Sequence, residues 1–71
     1  MHKFLVVIEE MDSYFSAYSP DLPGCVATGK SREETELNMY EAIQFHLQGL
    51  REDNMAIPRS SSYAEVMAIA A

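Results

Sequence analysis

The run from Ser31 to Asn54 decides most of what this chain can become. Ser31 and Glu34 form an S-x-x-E capping box. In it the serine hydroxyl accepts from the N3 amide while the glutamate reaches back to the Ser31 amide. Glu33, Glu34 and Glu36 suit the positive end of the helix that follows. Leu37, Tyr40, Ile43, Leu47 and Leu50 then recur at three- and four-residue steps along one face. Met39, Ala42 and Phe45 widen that stripe beyond what one sheet face usually covers. The helix should stop near Asp53-Asn54, because asparagine tolerates the left-handed conformation just past a cap. Pro58 makes resumption of the helix unfavourable. In 71 residues, one such helix leaves room for one sheet and little else.

The remaining segments read as strands. Lys3 to Glu10 is apolar on both alternating faces, Phe4-Val6-Ile8 and Leu5-Val7, the pattern of a central strand covered on both sides. Met11-Asp12-Ser13 suits a hairpin connection, and Tyr14 to Ser19 alternates aromatic and small residues as a second strand. In Pro20-Asp21-Leu22-Pro23-Gly24, Pro23 presets φ for the first central position of a type II turn and Gly24 accepts the positive φ of the next. Cys25 to Thr28 makes a short third strand, broken by Gly29-Lys30. After a polar linker from Arg59 to Ser62, Tyr63 to Ala70 is expected to return as a fourth strand. The expectation is an α+β fold of order β-β-β-α-β, one helix on a small, mostly antiparallel sheet, with residues 1-71 forming a single domain.

A core of this size supplies only about 3–5 kcal/mol unaided. Cys25 is the lone cysteine, and His2 and His46 share none of the paired spacings of a structural zinc site. The missing stability is therefore expected from self-association, as a dimer or higher, or from a partner. Eleven acidic against five basic residues give a formal net charge of −6. Such a chain repels a phosphate backbone and steers towards a basic protein. No apolar run is long enough to span a bilayer and no secretory signal is evident, so a cytoplasmic location is expected, with which a free thiol agrees.

Several motifs invite chemistry. Gly24 to Ser31 matches the phosphate-binding pattern G-x-x-x-x-G-K-[ST]. A proline-punctuated turn precedes it, however, and its interior reads as a strand rather than a loop that turns amides inward. Cys25 and His46 read as a small buried thiol and a rim histidine, since no acid nearby in sequence orients the histidine. Glu9, Glu10, Asp12, Glu41 and Glu65 do not converge by spacing as a two-metal site requires, so solvated charge is the reading. No catalytic residue, cofactor or metal is therefore assigned. Tyr14, Ser16 and Tyr18 line the sheet face away from the helix if Phe15 and Ala17 face it. In the opposite orientation the helix covers the tyrosines, and either way one apolar face lacks a cover.

Tyr14 to Cys25 reads Y-F-S-A-Y-S-P-D-L-P-G-C, Gly29 to Glu34 carries G-x-[ST]-x-E-E, and His46 to Asp53 carries H-L-x-G-L-R-E-D. Together these resemble the HicB-like antitoxins over nearly the whole chain. The resemblance implies a partial ribonuclease-H-like fold without the acidic metal site of true nucleases. It also implies a non-catalytic role, the binding and neutralising of a small basic HicA-type messenger-RNA interferase. Asn54 stands where glycine is common in that family. The DNA-binding C-terminal segment that many members carry has no counterpart in these 71 residues, so autorepression by this chain alone is not expected.

The partner-binding residues expected from exposure and charge are Glu9, Glu10 and Asp12 with the Asp21-Leu22-Pro23 turn, joined by Tyr14 and Tyr18. Two other classes compete with the toxin-binding module. One is an orphan homo-oligomeric structural or ligand-binding module without a toxin. The other is a residual metal-dependent nuclease, which would require Glu10 or Glu41 to support RNA cleavage.

Overall fold

A computed structural model describes all 71 residues. Three short strands, β1 (Val7–Glu10), β2 (Phe15–Tyr18) and β3 (Val26–Gly29), precede one long helix, α1 (Arg32–Glu52). The strands form an antiparallel meander of order β1-β2-β3. The helix crosses one face of the sheet, packing chiefly over β3 and β2 and least over β1.

Local chemistry sets the joints. Met11 N–H donates to the Tyr14 carbonyl at 2.8 Å and closes the β1–β2 hairpin. Two successive turns then carry the chain from β2 to β3, with Leu22 N–H on the Ser19 carbonyl and Cys25 N–H on the Leu22 carbonyl. Gly24 at φ +84° and Pro23 before it supply the dihedrals of the type II turn. Ser31 caps α1, its hydroxyl accepting from Glu34 N–H at 3.1 Å. The reciprocal contact is displaced by one residue, because the Glu34 carboxylate accepts from Lys30 N–H rather than from Ser31. At the other end Asn54 adopts φ 55°, while Met55 N–H donates to Leu50 O and Asn54 N–H to Arg51 O. This is the Schellman geometry that an asparagine at that position permits.

The core is small: only eight residues are buried, with Ala17, Leu22, Cys25, Met39 and Leu47 as its apolar members. Ala17 and Phe15 point to the helix side, so Tyr18 and Ser16 face outward. The helix keeps Ile43, Leu47 and Leu50 of the expected stripe against the core but turns the rest of that stripe, at Leu37 and Tyr40, outward. Thr35, Met39 and Leu47 are buried, whereas Leu37, Tyr40 and Phe45 are exposed. The rotation follows from the start of the helix, where Gly29 lies against Thr35. A Cβ on Gly29 would stand 2.5 Å from Thr35 Oγ1 and 2.8 Å from its amide nitrogen. Thr35 can occupy that buried place because its hydroxyl donates to the Ser31 carbonyl at 2.7 Å. Asn38 adds a second tie, its side-chain amide donating to the Thr28 carbonyl at 2.8 Å.

Two expectations are corrected. Residues 63–70 form no strand; they are unpaired and exposed, with Tyr63 at 90% and Val66 at 100% exposure. The observed order is therefore β-β-β-α. As a result β1 is an edge strand rather than a central one, and its apolar residues Phe4 to Ile8 are only half-buried. The chain is elongated, 49 × 27 × 19 Å with a radius of gyration of 13.9 Å. A compact chain of this length would have a radius of about 11 Å.

Candidate partner-binding surface

The outer face of the sheet is built by cross-strand neighbours. Val7, Tyr18 and Val26 stand side by side across β1, β2 and β3, and Glu9, Ser16 and Thr28 form the next row. Tyr18 and Val26 are exposed and Val7 is half-covered, so the first row is an open apolar strip. Tyr14, just before β2, continues the alternation and is also exposed. No other part of the chain covers this strip, and tyrosine in such a setting offers a large apolar body with a polar tip.

Acidic residues rim the strip. Glu9, Glu10 and Asp12 are all exposed around the β1–β2 hairpin. Glu9 lies on the outer face opposite Ser16, while Glu10 lies opposite Phe15, towards the helix. The carboxylates make no ion pair; the molecule's one salt bridge is Arg32 to Glu36 at 3.1 Å. They thus present uncompensated negative charge beside apolar surface.

The Asp21-Leu22-Pro23 turn is placed differently. Leu22 is fully buried and Asp21 nearly so, leaving only Pro23 exposed. The Asp21 carboxylate is a junction, accepting from Ser61 N–H at 3.1 Å, from Leu5 N–H at 3.1 Å and from the Ser60 hydroxyl at 2.9 Å. These donors, the Ser61 amide foremost and the Leu5 amide next, hold its pKa below the usual carboxylate value against the opposing effect of burial. Asp21 therefore joins three separated segments of chain, a role its sequence context signals only faintly, as an acid enclosed between two prolines.

A second apolar feature escaped the sequence reading. Between β1 and the helix lies an open groove of about 690 Å³, lined by Phe4, Val6, Ile8, Met39, Tyr40 and Ile43 among others. Its signal was the excess width of the helix stripe. Elsewhere the chemistry is sparse. No three His, Cys, Asp or Glu side chains approach closely enough to hold a metal ion. Cys25 is buried, which pushes its thiol pKa up and away from reactivity. The Gly24–Ser31 segment spends its middle as β3, its backbone committed to the sheet rather than to a phosphate. No helix is long and apolar enough to cross a membrane.

Comparison with known proteins finds relatives over most of the chain. The chain is 36% identical over 61 residues to a UPF0150 protein of Thermoplasma acidophilum, covering 84% of this chain and 88% of that one. It is 44% identical over 50 residues to a UPF0150 protein of Helicobacter pylori, covering 70% and 69% respectively. It is also 38% identical over 56 residues to an uncharacterized 14.9 kDa protein from the rep-hol intergenic region of Haemophilus phage HP1. That match covers 79% of this chain but 42% of the phage protein. No solved structure matches. The family model for the HicB-like antitoxin of bacterial toxin–antitoxin systems matches residues 4–70, nearly the full length. This chain belongs to the HicB-like antitoxin family.

Proposed function

We propose that the chain is a non-catalytic binding module that captures and neutralises a small basic messenger-RNA interferase of HicA type. The observation that carries this reading is the outer sheet face, where Tyr14, Tyr18 and Val26 lie exposed beside Glu9, Glu10 and Asp12. Apolar area provides affinity, and the acidic rim steers a cationic partner into register. Pro23 extends the surface at the corner, while Asp21 and Leu22 act from inside by fixing the shape of that turn. The net charge of −6 extends the attraction over the whole molecule. A cytoplasmic location, a single domain over residues 1–71 and a partial ribonuclease-H-like sheet belong to the same reading. So does self-association, which the small core and the uncovered groove favour.

The test is an RNA-cleavage assay with a HicA-type ribonuclease titrated by this chain. Cleavage is expected to stop near stoichiometric addition. The triple substitution Glu9→Lys, Glu10→Lys, Asp12→Lys should slow association by about tenfold or more at low salt. Undiminished inhibition by the triple variant would remove the acidic rim from the interface. RNA cleavage by the chain itself, lost on replacing Glu10 or Glu41, would replace the proposal with a nuclease.

A further inference from the structure

We propose that residues 63–70 of one chain pair as a fourth strand along the β1 edge of a second copy, and reciprocally, giving a strand-exchanged dimer. This deepens the self-association part of the functional reading and is independent of any toxin.

Three features of the isolated chain are incomplete in complementary ways. The first is β1, whose neighbourhood from Phe4 to Ile8 is apolar on both faces yet sits at an unprotected sheet edge. Such edges are normally blunted by charge, proline or cover. The second is the groove beside that edge, where Phe4, Val6, Ile8, Met39, Tyr40 and Ile43 leave apolar surface open. Helix α1 leans towards β3, leaving space on the β1 side for a strand at the usual spacing of about 4.8 Å. The third is the tail. Tyr63, Met67 and Ile69 alternate with Ala64, Val66 and Ala68, the pattern of a strand covered on both faces, yet its large side chains are exposed. Eight residues extend about 26 Å, enough to span the whole of residues 3–10.

Geometry and charge choose the occupant. Ser60 and Ser61 are held on Asp21, which also holds the Leu5 amide, so the tail starts beside the beginning of β1. From that anchor a strand laid on its own β1 would run parallel to it. The isolated chain leaves residues 63–70 unpaired and exposed, with β1 paired on one side only. A two-fold-related copy can supply the same segment in the antiparallel sense, which pairs slightly better per residue. A basic partner finds little to recognise here. The charged groove residues, Arg32 and Glu36, pair with each other at 3.1 Å, and Glu65 is the tail's one charge.

The test uses the full chain. Its solution mass should be twice the 8.0 kDa chain mass. In dimers mixed from isotope-labelled and unlabelled chains, isotope-filtered NMR should show contacts from Val66–Ile69 of one chain to Phe4–Ile8 of the other. Met67→Pro should give a single-chain mass with helix content retained, because Met67 is exposed and lies outside the core cluster. Ala71→Pro, just past the strand, should remain dimeric. A dimer whose tail contacts β1 of its own chain, or that survives Met67→Pro, overturns strand exchange while leaving self-association intact. A monomer overturns both, and neither result bears on toxin neutralisation, which the cleavage assay reads separately.

Discussion

The Asp21 corner and the β1 edge meet at Leu5, yet one is closed and the other open. At the corner every demand is met within the chain. Leu22 is enclosed, Gly24 takes the positive φ, and the Asp21 carboxylate is filled by donors from residues 5, 60 and 61. No buried side-chain polar atom lacks a partner. At the edge nothing is finished: the strand has one neighbour, the groove is uncovered and the tail is unpaired. The difference teaches that the chain satisfies its own polar and apolar demands at the corner and leaves them open at the edge and outer face. Only eight residues are buried, so most of the apolar surface beside the edge stays uncovered within the chain.

Substitutions can break this contrast. The largest effect is expected from Leu22→Ala, which empties a fully buried position in the corner. A loss of about 2–5 kcal/mol is expected from the cavity, comparable to the whole stability of so small a domain. Urea denaturation followed by circular dichroism would read it, and a loss below about 1 kcal/mol would deny the corner its role. Next comes Gly29→Ala, where the new methyl collides with the Thr35 backbone. Overpacking of this kind costs about 1–3 kcal/mol, and the same denaturation experiment measures it.

Asp21 supplies a pH signature. Its folded-state pKa is lowered, so its stabilisation is fully present above the unfolded value of about 3.9. It is lost as pH falls through the lower folded value. Stability should decline in that acidic window for the native chain, and Asp21→Asn should be less stable at neutral pH with the Asp21 part of the decline removed. An identical acid profile in both proteins would show that the junction does not hold the fold. The smallest effect is expected on the open side. Phe45→Ser, at 78% exposure, should change the stability of the isolated chain by no more than about 0.5 kcal/mol. A larger loss would mean that this helix face is already covered.

What was legible in the sequence follows the same division. The hairpin, the type II turn at Pro23-Gly24, the Ser31 cap and the Asn54 stop were readable because each is decided by neighbours along the chain. The periodicity of α1 gives Ile43, Leu47 and Leu50 correctly but not its first turns, where Thr35, a polar residue, takes a core place that the glycine at position 29 makes available. The strand pattern of residues 63–70 and the two-faced pattern of β1 are real features of the sequence. Pairing is a non-local property, however, and the isolated chain supplies no neighbour for either. For the candidate surface, exposure of Glu9, Glu10 and Asp12 followed from polarity, whereas alternation put Tyr14 and Tyr18 on one face without deciding whether the helix covers it. The inward placement of Asp21 and Leu22 depends on residues 60 and 61, remote in sequence and close only in the fold.

The most direct test of a closed corner beside an open edge is amide hydrogen exchange of the full chain over a range of protein concentrations. Protection around Leu22–Cys25 and the start of α1 should be present at every concentration. Protection of residues 63–70 should appear together with that of residues 4–8 as concentration rises. A tail that exchanges at the unfolded rate even at high concentration, beside an edge equally unprotected, would contradict the account.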